Sequence, residues 1–203
     1  IKVMGKEMDK AYLEAVLKQR IDSESVEKSD LKIVYTPLHG CGGTLAIDAL
    51  EKWGFKKIFP EEAQMKSDGN FPTAASPNPE EGAALQRAIE LAKREEADLV
   101  LATDPDADRL GIAVKHKGEY ALITGNQLCA LLADYILGRR KDLGTLPEKP
   151  AICSTIVTTP LMREIADHYG ARFAEVLTGF KWIANQSREW KKEDPEIEFL
   201  YGT

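Results

Sequence analysis

The segment Leu99-Val-Leu-Ala-Thr-Asp-Pro-Asp-Ala-Asp-Arg-Leu-Gly-Ile-Ala-Val114 limits what this chain can fold into more than any other. Two apolar runs of strand type, 99–102 and 110–114, flank a loop in which Asp104, Asp106 and Asp108 alternate with other residues and Arg109 follows. In extended backbone a period of two points the three carboxylates to one side, and Pro105 stiffens the chain between them. Carboxylates this close repel one another, and a bound cation relieves the repulsion. Oxygen ligands on a tight loop suit Mg²⁺, which keeps coordination positions open for phosphate oxygens. Arg109 beside such an ion offers a planar fork for a phosphate or sugar-phosphate oxygen. A solvated charged loop is the plainer alternative. An EF-hand is excluded, because its Gly and Glu positions are held here by Arg109 and Lys115.

The flanking chain supports an α/β reading. Apolar residues Tyr12, Leu13, Val16, Leu17 and Ile21 fall near helical spacing over 8–21, and the polar stretch 22–30 reads as a loop. A strand at 31–35 leads through Gly40, Gly42 and Gly43 into a helix at about 44–53 that Gly54 ends. That glycine loop reads equally as a tight βα turn or as an anion contact; His39 within it is a weak site candidate. A short strand at 55–59 and a proline-rich loop at 71–79 follow, and Asn78 is expected to cap a helix with Pro79 at its first position. After the acidic loop, Lys115 to Gly118 reads as a hairpin turn, with His116 solvated in it. The same grammar then repeats, with a helix at 126–137, a strand at 151–157, and a helix begun by Thr159 and Pro160 and ended at Gly170. His168 in its last turn is suited by the helix dipole alone. A strand at 172–176 and the loop Thr178-Gly-Phe-Lys-Trp182 open a final helix.

The expected fold class is therefore α/β, as two consecutive α/β domains with mixed sheets flanked by helices, 1–118 with the acidic loop and 119–203 after it. A chain of 203 residues accommodates two small cores. The net charge of −6 argues against a nucleic-acid partner, and no apolar run approaches the ~20 residues of a membrane span. Cys41, Cys129 and Cys153 are scattered and odd in number, which suits a reduced, cytoplasmic setting and structural roles. Starting at Ile1, the chain reads as a piece of a longer protein.

Four stretches in order, Thr36-Pro-Leu-His-Gly-Cys-Gly-Gly43, Phe71-Pro-Thr-Ala-Ala-Ser-Pro-Asn-Pro-Glu80, Thr103-Asp-Pro-Asp-Ala-Asp-Arg109 and Leu177-Thr-Gly-Phe-Lys-Trp-Ile183, resemble the α-D-phosphohexomutases, the phosphoglucomutase and phosphomannomutase family. The resemblance implies the second domain and most or all of the third in a four-domain enzyme that interconverts hexose 1- and 6-phosphates. In that scheme Asp104, Asp106 and Asp108 hold Mg²⁺, Arg109 helps bind the transferring phosphate, and Thr178, Gly179 and Lys181 belong to the sugar-phosphate loop. It also implies a phosphoserine and a hexose 1,6-bisphosphate intermediate, with domains 1 and 4 of the same chain as partners. No Ser-His-Asn-Pro type loop occurs in the sequence, so the chain alone is expected to lack mutase activity and to bind metal weakly. An Asp-nucleophile Mg²⁺ phosphatase and a non-catalytic sugar-phosphate-binding module are the alternatives.

Overall fold

The computed structural model describes residues 4–203. The chain divides into two units, the first ending at Gly125 and the second spanning Asn126–Thr203. In order, the first contains α1 (Lys6–Leu17), α2 (Ser23–Glu27), β1 (Lys32–Thr36), a 3₁₀ turn (Cys41–Thr44), α3 (Ala46–Trp53), β2 (Lys57–Pro60), α4 (Glu62–Met65), α5 (Gly82–Glu95), β3 (Leu99–Thr103), β4 (Leu110–His116) and β5 (Glu119–Ile123). The second contains α6, which begins at the junction (Gly125–Asp142), then β6 (Lys149–Thr155), α7 (Leu161–Tyr169), β7 (Arg172–Val176), α8 (Phe180–Glu193) and β8 (Ile197–Gly202).

The first sheet has the order β2-β1-β3-β4-β5. It is mixed, since β1 runs parallel to β2 and β3 while β3–β4 and β4–β5 are antiparallel. Its core is built from small side chains, with Ala88 and Ala92 of α5 packed against Val34 and Val100. Alanines at those positions let the helix lie close to the sheet, and Tyr120 closes the edge by donating its hydroxyl to the Ala92 carbonyl at 2.9 Å. Lys117 and Gly118 both take positive φ, the conformation a two-residue hairpin demands. β4 runs through His116, one residue short of that turn.

The second sheet, β7-β6-β8, is parallel throughout. β6 alternates across it. Ile152 faces a cluster with Ala133, Leu137, Met162 and Ala166, while Ala151 and Cys153 face Ile183, Trp190 and Ile197. Helices cover both faces, which is why β6 is apolar without a polar side. Each fully buried Leu or Ile there contributes about 1.5–3 kcal/mol.

Local differences from the sequence expectation have local causes. The polar stretch 22–30 contains the short α2, because the Asp22 carboxylate accepts the Ser25 amide at 3.0 Å and caps it. Asn78 caps a turn instead of the helix. Its side-chain oxygen accepts the Glu80 amide at 3.1 Å, and α5 starts only at Gly82. α6 continues past Leu137 to Asp142 through Gly138, where the Tyr169 hydroxyl fills the space a Cβ would need. The two units divide after Gly125, at the start of α6. Among the described residues no helix is long and apolar enough to cross a membrane.

Candidate metal centre

Thr103 ends β3 and pairs with Leu110 at the start of β4, so the acidic loop is clamped at both ends by one antiparallel ladder. Within it the Ala107 amide donates to the Asp104 carbonyl at 3.0 Å, and Ala107 takes φ +60°, which turns the chain sharply. Asp104 is completely buried, while Asp106 and Asp108 are exposed. One carboxylate oxygen from each of the three lies within 4.8 Å of the others. The three carboxylates read from the sequence do come together, but through this turn and not through extended alternation.

Arg109 holds Asp104 in place. Its amide donates to Oδ1 at 3.0 Å and its Nε donates to Oδ2 at 2.7 Å. Burial pushes the Asp104 carboxyl upward, but the two Arg109 bonds and the guanidinium charge outweigh it and hold the group below its ordinary value. Asp108 moves the other way, raised by partial desolvation and by the charges of Asp104 and Asp106. Its Oδ1 is 3.8 Å from Arg109 Nε. The negative charge on the exposed side of the loop is therefore only partly relieved by Arg109.

Support comes from the glycine loop. The Cys41 amide donates to the Pro105 carbonyl at 2.9 Å. A Cβ on Gly40 would fall 2.6 Å from that carbonyl oxygen, and a Cβ on Gly42 would fall 2.5 Å from Thr103 Oγ1. These glycines fit the tight-turn reading with an added reason, since the acidic loop rests on their bare backbone. Gly111 does the same for the opposite wall, where Pro79 approaches too closely for any side chain. A cavity of about 490 Å³ opens between these loops, lined by Ser76, Asn78, Asp104, Asp106 and Arg109. Ser76 and Asn78 both donate to Glu81 Oε1 at 3.0 and 3.2 Å. Both lie in the proline-rich stretch that carries part of the family resemblance, whereas their residue chemistry alone reads as a helix lead-in.

His39 has a structural explanation. It is 4% exposed, with Nδ1 3.1 Å from the Lys66 carbonyl and Nε2 2.8 Å from Thr73 Oγ1. Gln64 joins the same network by donating to Thr73 at 3.0 Å and accepting from Thr36 at 2.6 Å. These bonds tie the glycine loop to the 71–74 segment. His116 ends β4 on the surface, and the His168 ring stacks edge-on against Tyr169 in the last turn of α7.

In the second unit, Thr178, Gly179 and Lys181 sit together at the head of α8. Gly179 takes φ +122° and its carbonyl accepts the Trp182 amide at 2.9 Å. Thr178 and Lys181 are exposed, and Lys181 Nζ lies 5.4 Å from the centre of the Trp182 ring.

Fold and loop together define an α/β protein of two consecutive three-layer domains, the first bearing a cluster of three converging carboxylates. The chain belongs to the phosphoglucomutase/phosphomannomutase family: residues 10–118 match alpha/beta/alpha domain II and residues 124–201 match alpha/beta/alpha domain III. Phosphoglucomutase from Staphylococcus aureus strain USA300 is 39% identical over 165 residues, which are 81% of this chain and 29% of that protein. The chain thus spans about a third of the curated relatives it matches. Its fold is also that of a phosphoglucomutase/phosphomannomutase family protein from Burkholderia thailandensis, at TM-score 0.69 and 24% identity over 89% of this chain and 35% of that one. An Aspergillus fumigatus N-acetylphosphoglucosamine mutase, solved with GlcNAc-6P and magnesium, superposes at TM-score 0.59 and 15% identity over 91% of this chain and 35% of that one.

Proposed function

We propose that this chain is the metal-bearing and sugar-phosphate-binding centre of a phosphohexomutase that interconverts hexose 1-phosphate and hexose 6-phosphate. The observation that carries the proposal is the meeting of three carboxylate oxygens within 4.8 Å on a loop braced by Arg109 and the glycine turn, in a chain of this family. All the donors are hard oxygens and two of the three carboxylates face solvent, a set that fits Mg²⁺. Asp104, Asp106 and Asp108 hold the ion, and when bound it neutralises and orients the phosphoryl group being transferred. The S. aureus relative is named a phosphoglucomutase, and a magnesium complex is known for the Aspergillus neighbour; both support the reading.

The chain's own residues have distinct tasks in this account. Arg109 keeps Asp104 ionised and aimed, and its guanidinium, 56% exposed, reaches toward a phosphate in the cavity. Thr178, Gly179 and Lys181 supply a hydroxyl, an open backbone and a point charge to a sugar-phosphate loop in the second unit, for a hexose phosphate or hexose 1,6-bisphosphate. The phosphoserine that donates and recovers the phosphoryl group belongs to another domain, so the isolated chain has no turnover. Asp104 is a poor candidate for an aspartyl nucleophile of the phosphatase type, since both of its oxygens accept from Arg109.

A coupled assay for glucose 1-phosphate and mannose 1-phosphate, with Mg²⁺ and a bisphosphate activator, tests the proposal on the full-length protein. Turnover abolished by Asp106→Asn supports it; phosphate release instead of isomerisation, or turnover indifferent to Asp106, overturns it.

A further inference from the structure

The acidic loop is anchored by a part of the molecule that carries none of its charges. Tyr35, on the buried strand β1, is 2% exposed and points its hydroxyl at Thr103, the last residue before the loop, with the oxygens 2.9 Å apart. Gly42 sits against this pair so closely that a Cβ there would collide with both oxygens, and Ala107 lies 3.6 Å from the same point. One residue earlier, the Cys41 amide holds the Pro105 carbonyl. The floor of the loop is therefore a contiguous set: Tyr35 to Thr103, Gly42 beneath them, Cys41 to Pro105.

We propose that Tyr35 is a positioning residue for the metal centre, setting the loop's entry through Thr103 so that Asp104, Asp106 and Asp108 converge before any ion arrives. The inference rests on the metal reading above and deepens it. The physical reason is that three like charges drive the loop apart, while Arg109 holds Asp104 closely at 2.7 Å but Asp108 only loosely at 3.8 Å. A neutral hydrogen bond at the entry costs no charge and fixes the end of β3, from which Asp104 departs. A hydroxyl on a rigid ring braced in a sheet loses little freedom in making it.

The test uses two readouts on the full chain. Mn²⁺ binding is followed by electron paramagnetic resonance, and exchange of the Ala107 and Arg109 amides, which donate to Asp104, is followed without metal. Tyr35→Phe and Thr103→Val each remove the bond with little change in volume, and Thr103→Ser keeps the hydroxyl. The expected result is that Tyr35→Phe and Thr103→Val each weaken Mn²⁺ binding about threefold or more and speed both amides by a similar factor, as loss of one neutral hydrogen bond implies. The double variant should go no further, Thr103→Ser should stay near wild type, and amides in β4 beyond Gly111 should be unmoved. Wild-type affinity and wild-type exchange in both single variants overturn the proposal. If Asp106→Asn binds Mn²⁺ as well as wild type, the metal reading fails, and the amide exchange still decides the role of Tyr35 in shaping the loop. Should Tyr35→Phe fail to fold, Thr103→Val carries both readouts alone.

Discussion

Arg109 takes both oxygens of Asp104, its Nε 2.7 Å from Oδ2 and its amide 3.0 Å from Oδ1, and it does so for a carboxylate with no solvent exposure. The partner is itself more than half exposed, so the bond orders a buried charge from the edge of a cavity. Arg109→Ala should lower the unfolding free energy by about 1.5–3 kcal/mol, the range for a hydrogen bond to a charged group. Lysine at this position should recover little, because its only donor sits at the end of a longer flexible stem and not where Nε meets Oδ2. Urea unfolding of the three proteins checks this; equal midpoints would refute it.

The close approach of the glycine loop gives a second prediction. A Cβ at Gly40 would press on the Pro105 backbone, which has no flexible end to move aside, whereas a Cβ at Gly69 would meet nothing within 4 Å. Gly40→Ala should cost about 1–3 kcal/mol, and Gly69→Ala should be neutral or slightly stabilising. Chemical denaturation of both variants separates the two, and a well-folded Gly40→Ala of wild-type stability would contradict the packing.

Thiol reactivity should rank the cysteines by environment. Cys41 is exposed, whereas Cys153 is fully buried in β6 and burial pushes its thiol up to about 11. At mildly alkaline pH a disulfide reagent should label Cys41 fast and Cys153 only as the second unit opens. Cys41→Ser should remove the fast phase. A fast phase that survives the substitution would show that another thiol is open.

The base of the second sheet is set up to titrate. Lys149 donates to Asp194 at 2.7 Å and to Glu196 at 2.6 Å. The Lys149 bond is the main cause holding Asp194 below its ordinary 3.8, and these partners raise Lys149 above its ordinary 10.5. A depressed acid adds stability above its unfolded value and loses it as pH falls through the folded one; a raised base adds stability below its unfolded value and loses it as pH rises. Lys149→Met should therefore lower the thermal midpoint at neutral pH, and the gap from wild type should close as pH falls below 3.8. A gap that is constant with pH would mean that packing, not charge, is lost.

Much of this was legible in the sequence. The flanking strands of the acidic loop were legible from its two apolar runs; the carboxylates meet through a turn, closed by the Ala107 amide on the Asp104 carbonyl, and not through the extended alternation the spacing suggested. Gly54 and Gly170 marked helix ends because both take the positive φ that a glycine allows without strain. Long-range features were not legible. The demand for glycine at 40 and 42 comes from Pro105 and Thr103, more than 60 residues away in sequence, and from the Tyr35 hydroxyl that meets Thr103 there. Asn78 carries a cap signature, but its hydrogen bonds close a turn held against Gly111, and α6 passes through Gly138 because Tyr169 occupies the vacant side. The family resemblance supplied the roles of Thr178, Gly179 and Lys181, for which residue chemistry alone gives only a helix start.

The central claim, that Asp104, Asp106 and Asp108 form a Mg²⁺ site, is tested most directly by titrating the wild-type chain and Asp106→Asn with Mg²⁺ while following backbone amide resonances. The account predicts a saturable shift confined to residues 104–109 and their glycine-loop contacts, with affinity weaker than low micromolar, and no such shift in the variant. Affinity in the low micromolar range would contradict the missing phosphate ligand, and a response shared by the variant would contradict the site itself.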